Sequence, residues 1–273
     1  MQRRFLGLLL VLPALTVILF LFVLPLALSV AGAFETKTGF GLDNFVKSFA
    51  LYRSDILFTL VIVSLSTCLI GLVSITIGGY LTLGENPRAV AILRWLYRWP
   101  LFIPFIVVGQ VLRTFLAKNG LMNNILVGAG LITPLQAISF LDWRGIVIAF
   151  VWKQTPFVTL LLAGAMASVD RGTIEAARNL GASRLRILVE ILVPQVARTL
   201  MVALVLSFVT MMSVLSVPLM INAQSPTMLT ADIAFRINAY GDYGVANALG
   251  LISLAATACV AWFYLRQSMR DRG

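Results

Sequence analysis

The sequence predicts an all-α membrane protein with six transmembrane helices, a cytoplasmic helix-turn-helix loop and both termini in the cytoplasm. Three observations predict it. The first is composition: 60% of the 273 residues are hydrophobic and 12% are charged, against about 25% charged in average globular domains. So little polar surface cannot cover so much apolar surface in water. Lipid is therefore the solvent for most of the chain. The second is the count of apolar stretches. Six occur, at 5–34, 56–84, 100–117, 145–169, 195–221 and 245–265, each near or above the ~20 residues that cross ~30 Å of hydrocarbon. No stretch alternates with period two, which excludes a β-barrel. The third is charge placement. Six spans put both termini on one side, together with Arg3, Arg4, Arg88, Arg94, Arg98, Arg171, Arg178, Arg184, Arg186, Arg198, Arg266, Arg270 and Arg272, thirteen in all. The opposite side holds seven: Lys37, Lys47, Arg53, Arg113, Lys118, Arg144 and Arg236. The positive-inside rule assigns the thirteen to the cytoplasm. The chain is read as one transmembrane domain over 1–273.

The first stretch begins after Arg3 and Arg4 and resembles a signal peptide near Ala31-Gly32-Ala33. Its apolar run is much longer than the 7–15 residues of a signal h-region, so it reads as a retained helix. The second stretch carries Ser64, Thr67, Gly71, Ser74 and Gly78 at alternating spacings of three and four. The last repeats the pattern with Ala246, Gly250, Ser253, Thr257 and Ala261. Such stripes let helix backbones approach closely in lipid; they are packing seams or, alternatively, pore linings. The fourth stretch holds Lys153-Gln154-Thr155-Pro156. An ionisable residue inside a span marks a functional candidate, and Pro156 frees a backbone carbonyl. Lys153 either faces a solute pathway or snorkels to the outer interface beside Trp152. In the fifth, Ser207, Thr210, Ser213 and Ser216 recur every third residue. Their hydroxyls either line a polar pathway or bond their own helix carbonyls.

The connections divide by side. The outer segment 35–55 reads as a polar connection, 118–142 as a loop holding a short surface helix, and 222–244 as a loop with Pro226, Asp232, Arg236 and Asp242. None is long enough to fold as a domain, so any capture of solute outside the membrane falls to a separate protein. The inner segment 170–194 has more shape. Residues 173–180 read as a short helix that Gly181 ends by taking the left-handed position. Ser183 caps a second helix over 184–193, with Leu185, Leu188 and Leu192 on one face, and Pro194 opens the next span. By pattern alone this is either a docking lever or a plain connector.

Several classes are excluded by what the chain lacks. It has no histidine, which removes the commonest acid–base group and metal ligand. Its two cysteines, Cys68 and Cys259, lie in apolar runs and make neither a disulfide framework nor a zinc site. No Asp or Glu falls within the six stretches, whereas an ion-coupled secondary transporter uses such groups. No channel filter is legible. No GxxxxGK[ST] phosphate loop occurs. The excess of ten positive charges lies between apolar runs, so it reports topology and contact with membrane lipid, not nucleic acid.

The string Glu175-Ala176-Ala177, three residues, Gly181, nine residues, Ile191, one residue, Val193-Pro194 resembles the EAA signature of binding-protein-dependent ABC importer permeases, EAA-x3-G-x9-I-x-L-P. Val193 replaces the usual Leu. Length, span number and loop order fit the same family. The resemblance implies a bacterial inner-membrane, multi-pass permease that is not itself an enzyme. It implies two cytoplasmic ABC ATPase subunits, which hold ATP and Mg, and no cofactor in this chain. A second permease, alike or identical, and a periplasmic or lipid-anchored solute-binding protein complete the assembly. Glu175, Ala176, Ala177, Arg178, Gly181, Ser183, Ile191 and Pro194 would form the ATPase-coupling contact. Lys153, Thr155, Thr210, Ser213 and Ser216 are the candidate solute pathway. Two cues about the solute differ. EAARNLGAS at 175–183 and Gly241-Asp242-Tyr243-Gly244 resemble the polyamine, phosphonate, sulfate and iron branch, while WKQTPF at 152–157 resembles sugar permeases. The sequence expectation is a small polar or charged solute such as a polyamine or phosphonate. A sugar or sugar phosphate is the alternative.

Overall fold

The computed structural model describes residues 11–36, 39–222 and 224–270. Arg3, Arg4, Lys37, Arg272 and the first six residues of the first apolar stretch lie outside the described residues, as does the side chain of Arg270. The chain is helical nearly throughout. Its elements are α1 (Val11–Phe34), a two-residue hairpin of β1 (Glu35–Thr36) and β2 (Gly39–Phe40), α2 (Asp43–Leu83), α3 (Pro87–Leu96), α4 (Phe105–Leu116) and α5 (Leu121–Gly128). Then come α6 (Trp143–Ala167), α7 (Arg171–Asn179), α8 (Arg184–Ser213), α9 (Ser216–Ile221), α10 (Leu229–Tyr240) and α11 (Tyr243–Arg270). Among the described residues, five helices are long and apolar enough to cross a membrane: α1, α2, α6, α8 and α11, the last over Tyr243–Phe263. The sixth candidate is a bent pair, Pro87–Phe102 with Phe105–Gly128, at 107°.

That bend corrects the expectation of a plain third span over 100–117. Pro104 causes it. The residue before a proline is pushed out of the α region, and Ile103, before Pro104, is extended at φ −88°, ψ 122°. Pro104 then starts α4 from extended angles of its own, φ −60°, ψ 149°. The 35–55 segment also departs from expectation, because α2 begins at Asp43 and Asp55 lies inside it. Tyr52 alone leaves helical angles there. The fifth stretch is interrupted, with Val214 extended between α8 and α9. In 118–142 the expected short helix is α5, and Asn123 fixes the loop by donating to the carbonyls of Ala117, Lys118 and Ile138 at 3.1, 3.0 and 2.8 Å.

The chain divides into two compact units. The larger, Ser54–Ala231 with Ala256–Gly273, holds the main core. There α6 packs along α8 and α4 packs on α9. Phe150, Ile146, Leu162, Met211 and Leu192 are fully enclosed. The small-residue stripe of α2 is a packing seam. A Cβ on Gly71 would lie 3.4 Å from Leu204 of α8, and one on Gly78 would lie 3.2 Å from Met166 of α6. Ser74 adds a bond to the Thr155 carbonyl at 3.4 Å. In lipid, where apolar side chains gain nothing by leaving solvent, such close packing is what holds helices together. Also in this unit, Asp55 is buried and accepts from Thr227 N at 2.8 Å and Ser225 Oγ at 3.2 Å, which ties 225–227 to α2.

The smaller unit comprises Met1–Arg53 and Asp232–Ala255. Asn44 donates to the Ala33 and Glu35 carbonyls at 3.1 and 2.8 Å, and Ser29 donates to Asn247 at 2.9 Å. Arg236 bonds the Tyr52 hydroxyl and lies 3.7 Å from Asp242. In the α11 stripe, a Cβ on Gly250 would meet nothing within 4 Å. The close approach read from the sequence at that position is absent among the described residues.

Candidate coupling site

The 170–194 segment builds a small rigid projection. Asp170 caps α7 by accepting from the backbone N–H of Gly172 and Thr173 at 3.2 and 3.1 Å. Those bonds favour the charged form and hold its carboxyl below the ordinary carboxylate range. Helix α7 spans 171–179, two residues earlier than the sequence indicates at its start. Gly181 follows with φ 83°, the left-handed angle that a Cβ disfavours, and its N–H returns to the Arg178 carbonyl at 2.9 Å. Ser183 caps the next helix by accepting from Arg186 N at 3.3 Å.

The second helix is not a separate element ending before Pro194. It runs without a break from Arg184 to Ser213. The chain passes through a π turn at Leu188–Leu192, where Val193 N–H reaches back five residues to the Leu188 carbonyl. Proline has no N–H and its ring crowds the preceding turn. The wider turn just before Pro194 gives that ring room, so the helix continues. The loop is therefore joined stiffly to the membrane helix α8. The predicted leucine face is also corrected: Leu185 is 70% exposed, while Ile187 and Leu192 are buried. Period 3.6 with a π insertion turns the inward face away from Leu185.

The named loop residues fall into two groups. Glu175, Ala176, Arg178, Gly181, Ser183 and Pro194 are exposed; Ala177 and Ile191 are half-buried. Ile174 is the buried anchor of α7. Arg178 donates to the Leu83 carbonyl at 3.3 Å, and Arg184 forms an ion pair with Glu85. A Cβ on Gly79 would lie 2.7 Å from Leu188. These three contacts pin the loop to the end of α2 and the segment that follows it. The sequence reading missed Leu83, Glu85 and Gly79. Only the glycine carried a signal, as one half of a Gly78-Gly79 pair.

The five pathway candidates do not share any of three cavities among the described residues. Lys153 donates to the carbonyls of Pro100 and Leu101 at 2.8 and 2.9 Å, and its ammonium lies 5.5 Å from the Phe105 ring centroid. These carbonyls belong to the short 3₁₀ turn Trp99–Phe102 that precedes α4, and the Pro100 carbonyl also accepts from Ile103 N–H at 3.3 Å. Lys153 thus ties that turn to α6, a role the sequence reading did not consider. Thr210 and Ser213 donate to their own helix carbonyls, Leu206 and Val209, at 2.8 and 2.7 Å. Ser216 is half-buried at the start of α9. Thr155 is buried, and among the described residues its hydroxyl has no hydrogen-bond partner, as is also true of Ser66, Thr159 and Ser207. A cavity of about 510 Å³ that Thr155 lines is otherwise apolar and includes none of the other four.

Residues 73–270 match the family of binding-protein-dependent transport system inner membrane components. The chain belongs to that family. It is the permease subunit of an ABC importer, a multi-pass inner-membrane protein. It is similar to the trehalose/maltose transport system permease protein MalF of Thermococcus litoralis, 29% identical over 285 residues, with 96% of this chain and 92% of that protein covered. It is also similar to the spermidine/putrescine transport system permease protein PotB of Salmonella typhimurium, 28% identical over 163 residues, 58% of this chain and 55% of that one. Among solved structures, a chain of a bacterial alginate ABC transporter, crystallised with its periplasmic protein bound to an alginate pentasaccharide, superposes with a TM-score of 0.79. The match has 21% identity and covers 99% of this chain and 96% of that one. At that identity the likeness concerns fold alone.

Proposed function

We propose that this permease passes a neutral or weakly charged sugar or glycoside across the membrane, driven through the 170–194 loop by ATPases that are separate subunits. The observation that carries the coupling half is the two-sided build of α7. Ile174 is buried while Glu175, Ala176 and Arg178 stand exposed, and the second half of the loop, from Arg184, continues as one helix into α8. Force applied at the exposed face passes to α8 through the Gly181 turn, which its N–H bond to the Arg178 carbonyl closes, and to the end of α2 through the Arg178–Leu83 bond. Small Ala176 and Ala177 permit a close partner, and Glu175 offers a charge to a basic one. Two ATPases, binding ATP with Mg, would each receive one loop, this chain supplying one and a second permease the other. A periplasmic or lipid-anchored binding protein would deliver the solute.

The sugar half is supported by the breadth of the match to a trehalose/maltose permease, which spans nearly the whole chain, whereas the match to a polyamine permease spans little over half. Charge also favours it. A polyamine calls for free carboxylates, but the buried carboxylate of Asp55 is already bonded to Thr227 and Ser225. Lys153 is held by backbone carbonyls and is not offered to an anion. The test is a thermal-shift screen of the cognate binding protein. Stabilisation by di- or oligosaccharides and none by spermidine supports the reading; the reverse pattern sinks it.

A further inference from the structure

A groove between α2, α3 and α6 has a charged end and an apolar end. The charged end is a cavity of about 580 Å³ bordered by Arg94, Arg98, Arg171 and Arg178, with Glu175 as its one carboxylate. That leaves a formal excess of three positive charges. Among the described residues, none of the four arginines is in an ion pair. The apolar end is the cavity of about 510 Å³ that Thr155 lines. The two lie in sequence along the same helices. On α2 the walls are Leu69, Val73 and Ile77 at the apolar end and Leu81 at the charged end, one residue per turn. On α6 the apolar walls end at Pro156 and the charged-end walls begin at Leu160. Tyr97 borders both.

Helix α3 gives the depth of this groove. Its outward face carries Ile92, Trp95, Leu96 and, one turn on, Trp99, at 64, 59, 55 and 55% exposure. The spacing i, i+3, i+4, i+7 makes an apolar stripe, and Trp95 and Trp99 contact edge to face at 4.5 Å. Arg94 and Arg98, one turn apart, border the charged cavity instead. Helix α3 is the first arm of the bent sixth candidate span, and the arginines of such an arm reach to the headgroup level at its end. The arginine count puts that level in the cytoplasmic leaflet, whose anionic lipids basic pockets between helices can hold.

We propose that the groove binds one anionic phospholipid of the cytoplasmic leaflet. Its phosphate sits among Arg94, Arg98, Arg171 and Arg178, and an acyl chain runs past Tyr97 toward Thr155. Arginine suits a phosphate because its planar fork donates two parallel bonds. Arg171 and Arg178 belong to α7, so lipid occupancy braces the coupling loop. That consequence rests on the coupling reading above, but binding itself does not.

The test uses the whole transporter complex in nanodiscs. Native mass spectrometry compares retained phosphatidylglycerol with phosphatidylcholine. Wild type is expected to retain phosphatidylglycerol several-fold better, and Arg94→Gln/Arg98→Gln to lose that preference while phosphatidylcholine retention is unchanged. Equal retention of the two lipids by wild type, or an unchanged preference in the variant, overturns the proposal. A second arm labels Ala163→Cys, in the charged cavity, with a thiol reagent. Protection that grows with phosphatidylglycerol supports a lipid occupant, and equal protection in both lipids means that a protein subunit fills the groove. A third arm adds inorganic phosphate to phosphatidylcholine discs. If it protects as well as the lipid does, the ligand is a free anion. Binding without any effect on ATPase rate would leave the lipid site standing and remove only its link to coupling.

Discussion

Replacing Lys153 by Met separates a structural lysine from a solute-binding one. The variant keeps the unbranched stem and removes the ammonium. Two bonds are lost, to the Pro100 and Leu101 carbonyls at 2.8 and 2.9 Å. A hydrogen bond to a charged group contributes about 1.5–3 kcal/mol in soluble proteins, while side-chain bonds between membrane helices average about 0.6 kcal/mol. The site is only part-buried, which favours the lower figure. Two such bonds therefore give about 1–3 kcal/mol. At roughly 2–4 °C per kcal/mol for a chain of this size, the apparent unfolding midpoint in detergent should fall by several degrees. Hydrogen exchange should rise in 99–105, the segment Lys153 holds. Lys153→Arg keeps donors in reach and should recover most of the loss. An unchanged midpoint, combined with a large rise in KM for the transported solute, would refute the clamp and restore Lys153 to the pathway.

Three further outcomes follow from the same geometry. Gly181→Val places a β-branched residue at φ 83°, costs about 1–2 kcal/mol locally, and should lower solute-stimulated ATPase activity in proteoliposomes while membrane insertion is normal. Gly79→Val drives a side chain into Leu188, whereas Gly250→Ala enters open space; expression yield and unfolding midpoint should drop for the first and hold for the second. For Asp170, hydrogen bonds lower the folded-state pKa, so its contribution is present above the ordinary carboxylate pKa and is lost only as pH falls through the lowered value. Asp170→Ala should therefore speed amide exchange at Gly172 and Thr173 equally at pH 5 and pH 8, the intrinsic pH dependence of exchange being divided out.

The parts of the fold that depend on composition were legible in the sequence, and those that depend on local exceptions were not. Apolar length marked the long helices because hydrocarbon thickness sets a minimum run. The EAA string marked the loop because Gly181 and Ser183 act within a few residues of their own positions. The break at Ile103 had its cue in Pro104, yet hydropathy averages across it. Pro194 misled in the opposite direction. A proline usually ends a helix, but a π turn at Leu188–Leu192 lets this one continue. Lys153 was visible as an intramembrane charge, but its partners lie more than fifty residues away and are backbone carbonyls. No side-chain pattern announces them. The spacing of Thr210 and Ser213 left two readings open, a polar pathway or bonds to their own helix, and each hydroxyl donates to a carbonyl of its own helix.

The central claim is that α7 transmits ATPase motion to the membrane helices. The most direct measurement is solute-stimulated ATP hydrolysis by the reconstituted complex carrying Glu175→Arg, with ATPase co-purification measured in parallel. The variant should insert normally, and both stimulated hydrolysis and uptake should collapse, because the charge on the exposed face is reversed while the buried Ile174 anchor is untouched. Wild-type uptake together with wild-type co-purification would contradict the account.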